Sequence, residues 1–337
     1  MRFIIGGAGG LGSVIGGFLA EAGEDVTLVA RQRHVDAIRA NGLRISGIRG
    51  EHLVRDNLTA ITDPSQAEGE FDYMVVLVKG KDTETLLAQF EPIKDRLKSV
   101  MSLQNGIGKE ERLREWAGRD KVIGASTIEG GVLIEPGHAM NGLTTPTTAY
   151  FGELDGGTSE RTIALADAFT RAQLTAKPVD NVMQVLWEKL MQIGTASGWS
   201  VSTLGLRLYF PDGLEVREGA EQYVLLARDF LKVYKGMGYD PQNYYAPMGQ
   251  YRELDALPFD EAVDLMQNVG RMFRERAKGG DSEGRTSMHE DMARGRKTEV
   301  DVILKPYVDK ARELGLETPI LDSTYRIIKT QDAYLEP

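Results

Sequence analysis

The rhythm of apolar positions changes about half-way along this chain. In the first half they gather into short runs, Phe3-Ile4-Ile5, Val26-Thr27-Leu28-Val29, residues 71–78 and Val100-Met101-Ser102-Leu103, each ending in glycine or polar residues. Runs this short and this continuous predict strands covered on both faces of a parallel sheet. Residues 13–22 and 32–41 carry helical patterns between them, with Gly23 placed to close the first. Residues 43–46 and 52–58 read as irregular strands, 122–126 as a further strand and 159–172 as a helix. The stretch 130–153 is rich in Gly, Pro and Thr, and only Ala149-Tyr150-Phe151-Gly152 within it reads as a strand. After Val179 apolar residues recur at helical spacing over residues 182–193, and long helical segments follow. Asp212-Gly213, Gly238 with Asp240-Pro241, and residues 277–284 mark the turns between them, residues 278–284 being the most mobile by composition. The pattern predicts an α/β domain on a doubly wound sheet over residues 1–178 and an all-helical domain over residues 179–337.

Composition narrows the chemistry. With 337 residues, 42% of them hydrophobic, the chain can fill two cores. A formal net charge of -10 argues against general binding to nucleic acid or an anionic membrane and leaves only a local basic pocket for an anionic ligand. Cysteine is absent, which excludes disulfides, thiolate catalysis and cysteine metal sites, and the four histidines lack ligand spacing, so no metal is expected. The N-terminus enters a core strand at once and no apolar stretch is long enough to span a bilayer; together with the missing cysteine this predicts a cytoplasmic protein.

The first strand runs directly into Gly7-Ala8-Gly9-Gly10-Leu11-Gly12, a G-x-G-x-x-G segment at the start of a βαβ unit. Gly7 permits the tight turn, Gly9 lets backbone N–H groups approach a pyrophosphate, and Gly12 lets the next helix pack on the strand. A carboxylate for a ribose 2′-hydroxyl would stand at the end of the second strand, but the chain there reads Ala30-Arg31-Gln32-Arg33. A guanidinium in that place predicts a 2′-phosphate and hence NADP(H) as cofactor; the alternative is that Arg31 and Arg33 are solvated loop charges.

A nicotinamide site asks the protein for a proton donor and for groups that fix the substrate. Lys189, in Trp187-Glu188-Lys189-Leu190, shares an amphipathic stretch with Leu186 and Ile193, where desolvation would bring proton donation within reach of neutral pH. A surface lysine paired with a glutamate fits the same pattern. Ser287 and Glu299 offer a donor and an acceptor for a substrate carboxylate or hydroxyl, unless Ser287 or Thr286 simply caps a polar helix with Glu290 as reciprocal partner. His289 lies in a charged run and reads as solvated.

Taken together, Gly7 to Gly12, Arg31, Val78-Lys79, Gln104-Asn105-Gly106, Phe151-Gly152-Glu153, Trp187-Glu188-Lys189-Leu190, Thr286-Ser287-Met288, Thr298-Glu299-Val300-Asp301 and Gly315-Leu316-Glu317-Thr318-Pro319 resemble the ketopantoate reductase (2-dehydropantoate 2-reductase) family over nearly the whole chain. The resemblance implies an N-terminal Rossmann domain and an all-helical C-terminal domain, with NADPH and a 2-oxo acid meeting in the cleft between them, and a place in pantothenate biosynthesis. It implies Lys189 as general acid and Glu299 as its catalytic companion. Lys79 and Asn105 line the cofactor edge, Asn105 also faces substrate, and Ser287 positions substrate. The chain departs from the pattern where asparagines follow the lysine by four and eight residues; Ile193 and Ser197 stand there as substrate-facing residues. Isoleucine offers no hydrogen bond, so a bulkier, more apolar substrate of a related NADP-dependent hydroxy-acid dehydrogenase is an alternative, as is a non-catalytic NADP-binding sensor. A homodimer rests on analogy with the family alone.

Overall fold

The structure, a computed structural model, describes residues 1–277 and 284–335, so all but the last residue of the loop expected at 278–284 lies outside the described residues. Its first compact unit is Met1–Leu186. The chain there runs β1 (Arg2–Gly6), α1 (Gly10–Glu21), β2 (Asp25–Val29), α2 (Gln32–Asn41), β3 (Leu43–Gly47), β4 (His52–Val54), β5 (Leu58–Ile61) and β6 (Phe71–Val76). It continues through α3 (Thr83–Phe90), β7 (Leu97–Ser102), α4 (Lys109–Ala117), β8 (Ile123–Thr127), β9 (Gly130–Glu135), β10 (His138–Leu143), β11 (Ala149–Glu153), α5 (Glu160–Arg171) and β12 (Ala176–Pro178).

Five strands form a parallel sheet in the order β5-β2-β1-β6-β7. The chain moves outward from β1 through β2 to β5, then crosses back to β6, so the order reverses between β1 and β6. Ligands of doubly wound sheets bind at the strand ends beside such a reversal. Alternate residues of β1 serve two cores: Phe3 and Ile5 pack with Val14 and Phe18 of α1, while Ile4 joins Met74, Leu86 and Phe90 on the other face. Burial on both sides is why the strand runs carry no polar alternation.

Two smaller sheets flank this one, ordered β4-β3-β10-β9 and β12-β11-β8. The antiparallel β9–β10 pair occupies the stretch that reads as irregular in the sequence. Val132, Leu133 and Ile134 of β9 are all exposed, so the strand shows no alternation of buried and solvated positions.

The division between units falls inside α6 (Val182–Thr203), and the second unit is Trp187–Pro337. It contains α7 (Phe210–Glu215), α8 (Arg217–Gly236), α9 (Tyr251–Ala256), α10 (Phe259–Ala277), α11 (Ser287–Ala293), α12 (Val300–Ile303), α13 (Lys305–Glu313) and α14 (Pro319–Asp332). A Cβ on Gly194 would lie 2.7 Å from the Phe230 ring, so α6 and α8 pack as closely as a glycine allows. Tyr307 joins that core by edge-on contacts with Trp187 (5.1 Å) and Phe230 (4.7 Å). Tyr234, Tyr245 and Tyr251 are buried core residues as well. Among the described residues no helix is long and apolar enough to cross a membrane.

Candidate functional site

The glycine segment leaves β1 at Gly7, whose φ of +97° favours glycine, and a Cβ there would lie 2.5 Å from Val78 Cγ1 at the end of β6. The N–H of Ala8 donates to Val29 O (3.0 Å), which ties the turn to the end of β2. Ser13 makes the first intrahelical bond of α1, to Gly9 O (3.0 Å). The amides of Gly10, Leu11 and Gly12 precede it and therefore have no acceptor inside the helix. Around Gly9 the space is open: a Cβ built there meets no protein atom within 4 Å. At Gly12 a Cβ would lie 2.6 Å from Gly7 O, so helix and turn touch backbone to backbone. Open space at Gly9, beside a positive helix end whose first amides have no intrahelical acceptor, can seat an anion.

Arg31 begins α2 as its N-cap residue, and its carbonyl accepts from the N–H of His34 (2.9 Å) and Val35 (3.1 Å). Its side chain is exposed, and among the described residues no carboxylate pairs with it. Lys79 and Asn105 are also exposed, each just beyond the end of a parallel strand. Gln104 joins their two loops: its amide donates to Val78 O (2.7 Å) and Thr83 Oγ1 (2.9 Å), and its carbonyl accepts from Ser102 Oγ (2.9 Å). Lys109 works beside it. Its buried ammonium donates to Ser102 O and Ala125 O, both at 3.1 Å, and to the Glu110 carboxylate. Neither joint is evident in the sequence, because the acceptors are mostly main-chain carbonyls.

Behind α1, Glu129 and Arg49 form a buried bidentate pair (2.7 and 2.9 Å) that also holds Asn141 and Thr144. Glu129 directly precedes β9, whose Gly131 backbone lies against Gly10 and Leu11. The pair thus braces the strand that backs the glycine turn.

In the second unit, Lys189 is only 6% exposed and Glu188 only 4%, so this is no surface lysine. The two project from different faces of α6, being about 100° apart on the helix. The Glu188 carboxylate accepts from the N–H of Gln242 (2.7 Å) and Tyr244 (2.9 Å) and from Tyr234 Oη (3.2 Å). Burial nevertheless pushes its pKa up, against those three donors. Ile193 and Ser197 follow Lys189 on the same stripe of α6, Ile193 half-buried and Ser197 buried. Trp199, further along α6, is a core residue: it is fully buried, its Nε1 donates to Gly219 O (2.9 Å), and its ring packs on Phe210 and Tyr223.

Ser287 is exposed at the start of α11, and Glu299 precedes α12. Thr286 occupies the N-cap position of α11, yet its hydroxyl makes no capping bond and has no partner among the described residues. His289 is buried rather than solvated; its Nε2 donates to Gly205 O (2.6 Å) and burial lowers its pKa.

The family model "Ketopantoate reductase PanE/ApbA" matches residues 3–156, and "Ketopantoate reductase PanE/ApbA C terminal" matches residues 181–332. The chain belongs to the ketopantoate reductase family. A 2-dehydropantoate 2-reductase of Pyrococcus horikoshii is 30% identical, with 99% of this chain and 98% of that one covered. The solved 2-dehydropantoate 2-reductase of Methylococcus capsulatus superposes with a TM-score of 0.77 at 23% identity, over 99% of this chain and 97% of that one. A D-mandelate dehydrogenase solved with NADH and anilino(oxo)acetate superposes with a TM-score of 0.72 at 21% identity, over 99% of each chain. As a ketopantoate reductase family member this chain is an oxidoreductase.

Proposed function

We propose that this protein reduces 2-dehydropantoate to the corresponding 2-hydroxy acid with NADPH. The observation that carries the coenzyme is the glycine turn: open space at Gly9 and acceptor-less amides at Gly10, Leu11 and Gly12 fit a pyrophosphate. Arg31 stands where an adenosine 2′-phosphate would lie and favours NADPH over NADH by a charge-assisted pair. The fold alone leaves that choice open, since the D-mandelate dehydrogenase of the same fold was solved with NADH.

When bound, NADPH supplies the hydride that goes to the substrate's carbonyl carbon. Lys189 donates a proton to the carbonyl oxygen as negative charge develops there, and then recovers a proton from solvent. Its burial suits this task, because a donor shielded from solvent can be held in place against a substrate oxygen. Lys79 and Asn105 hold the coenzyme edge, Ser287 takes the substrate carboxylate, and Glu299 orients substrate. Ile193 and Ser197 shape the wall beside Lys189.

NADPH oxidation with 2-dehydropantoate as substrate tests the reading. Lys189→Ala is expected to lower kcat by about 10²–10⁴ while calorimetry shows NADPH binding unchanged. A variant that keeps most of its turnover removes Lys189 from the reaction, and a wild-type protein inert toward 2-dehydropantoate overturns the substrate.

A further inference from the structure

His34 is 4% exposed, in the first turn of α2, three residues after Arg31. Its ring bridges two other segments. The N–H of Gly137, in the β9–β10 turn, donates to Nδ1 at 2.9 Å, and Nε2 lies 2.9 Å from Ser13 Oγ in the first turn of α1. Because Nδ1 accepts from a backbone N–H, it carries no hydrogen. The ring is therefore the neutral Nε2–H tautomer, donating to Ser13. Burial lowers its pKa and favours the same neutral form.

Those contacts join the parts of the coenzyme seat. Ser13 N–H binds Gly9 O at 3.0 Å, and His34 N–H binds Arg31 O at 2.9 Å. The β9–β10 pair, held through Gly137, presents Gly131 to Gly10 and Leu11. One imidazole thus links the turn that would take the pyrophosphate to the turn that carries Arg31.

We propose that His34 is a positioning residue for coenzyme selection, setting Arg31 at a fixed distance from the Gly9–Gly12 amides so that both ends of the adenosine diphosphate moiety are held at once. The proposal rests on the NADPH reading above. It requires that loss of the bridge weaken NADPH more than NADH, since only NADPH has a phosphate to offer Arg31. A role in stability alone would leave their ratio unchanged.

The test measures Kd for NADPH and NADH by calorimetry on wild type, His34→Leu and His34→Gln, with nitrogen NMR of the imidazole in the wild type. Leucine removes both bonds; glutamine retains one donor and one acceptor. His34→Leu is expected to lower the NADPH preference about tenfold, the equivalent of one hydrogen bond, and His34→Gln to recover most of it. The NMR spectrum is expected to show Nδ1 without a proton. Equal weakening of both nucleotides, or an unchanged ratio, overturns the proposal. If His34→Leu does not fold, His34→Gln and the ring tautomer decide: a protonated Nδ1, or glutamine losing the preference like a null variant, overturns it. A wild type with no preference for NADPH instead overturns the coenzyme reading and this proposal with it, a failure told apart because it appears before any substitution.

Discussion

Gly9→Ala tests coenzyme binding at the glycine turn. The added methyl meets no protein atom within 4 Å, but φ of -85° with ψ of -145° lies outside the β and αR regions that an L-residue prefers. Its cost to the fold without coenzyme is a poorer N-cap on α1, about 0.5–1 kcal/mol, together with backbone strain of about 1–3 kcal/mol, which lowers Tm by several degrees. With coenzyme the balance differs. Pyrophosphate oxygens must come within about 2.7–2.9 Å of the Gly10, Leu11 and Gly12 amides, and the methyl stands in the approach. Losing one such charge-assisted bond costs about 1.5–3 kcal/mol, or roughly 10- to 150-fold in Kd.

Gly12→Ala supplies the contrast. Its Cβ would sit 2.6 Å from Gly7 O and 3.3 Å from Ile5 Cγ2, so backbone must move before any ligand arrives. An overpacking cost of about 1–3 kcal/mol follows. Calorimetric titration with NADPH and thermal melts without it distinguish the two. Both variants are expected to melt below wild type, Gly12→Ala through its clash with the Gly7 carbonyl, and Gly9→Ala is expected to bind NADPH weakly even at temperatures where it is fully folded. A Gly9→Ala protein that binds NADPH like wild type refutes the assignment of this space to the pyrophosphate.

Arg31→Ala is expected to raise Kd for NADPH about 10- to 100-fold and leave NADH nearly unchanged, one charge-assisted pair having been lost; equal loss of both nucleotides in calorimetry counts against a 2′-phosphate site. Glu153, bonded to Arg161 at 2.8 and 2.6 Å, has its pKa held below the ordinary 4.5 first by that guanidinium. The unfolded chain therefore binds the proton more tightly, and the stability from this pair is present above pH 4.5 and lost as pH falls through the lower folded value. Denaturant midpoints of wild type and Glu153→Gln are expected to differ above that pH and converge below it; a gap independent of pH excludes the pair as its source.

The legible parts of the fold were those in which the backbone limits the choice of residue. Continuous apolar runs at β1, β6 and β7 reflect burial on both faces, and a glycine at Gly12 reflects contact with the Gly7 carbonyl. The β9–β10 pair had no such mark. Its exposed Val132, Leu133 and Ile134 lie on an outer strand of a small sheet, where neither alternation nor continuous burial is imposed.

The site divides along the same line. Arg31 stands out in the sequence because a charge of the opposite sign to the customary carboxylate occupies a position defined by strand β2. Gln104, Lys109 and His34 were not legible as joints, since each bonds largely to main-chain groups: Val78 O, Ser102 O and Ala125 O, and Gly137 N–H. A backbone group is the same at every residue, so the partner leaves no trace in the sequence. The same reasoning explains Glu188 and Lys189. Adjacent in sequence and opposite in charge, they read as a pair, but helical geometry turns them apart and Glu188 spends its oxygens on the N–H groups of Gln242 and Tyr244. The carboxylate anchors a loop to α6, and the neighbouring lysine lies on a different face of that helix, aligned with Ile193 and Ser197.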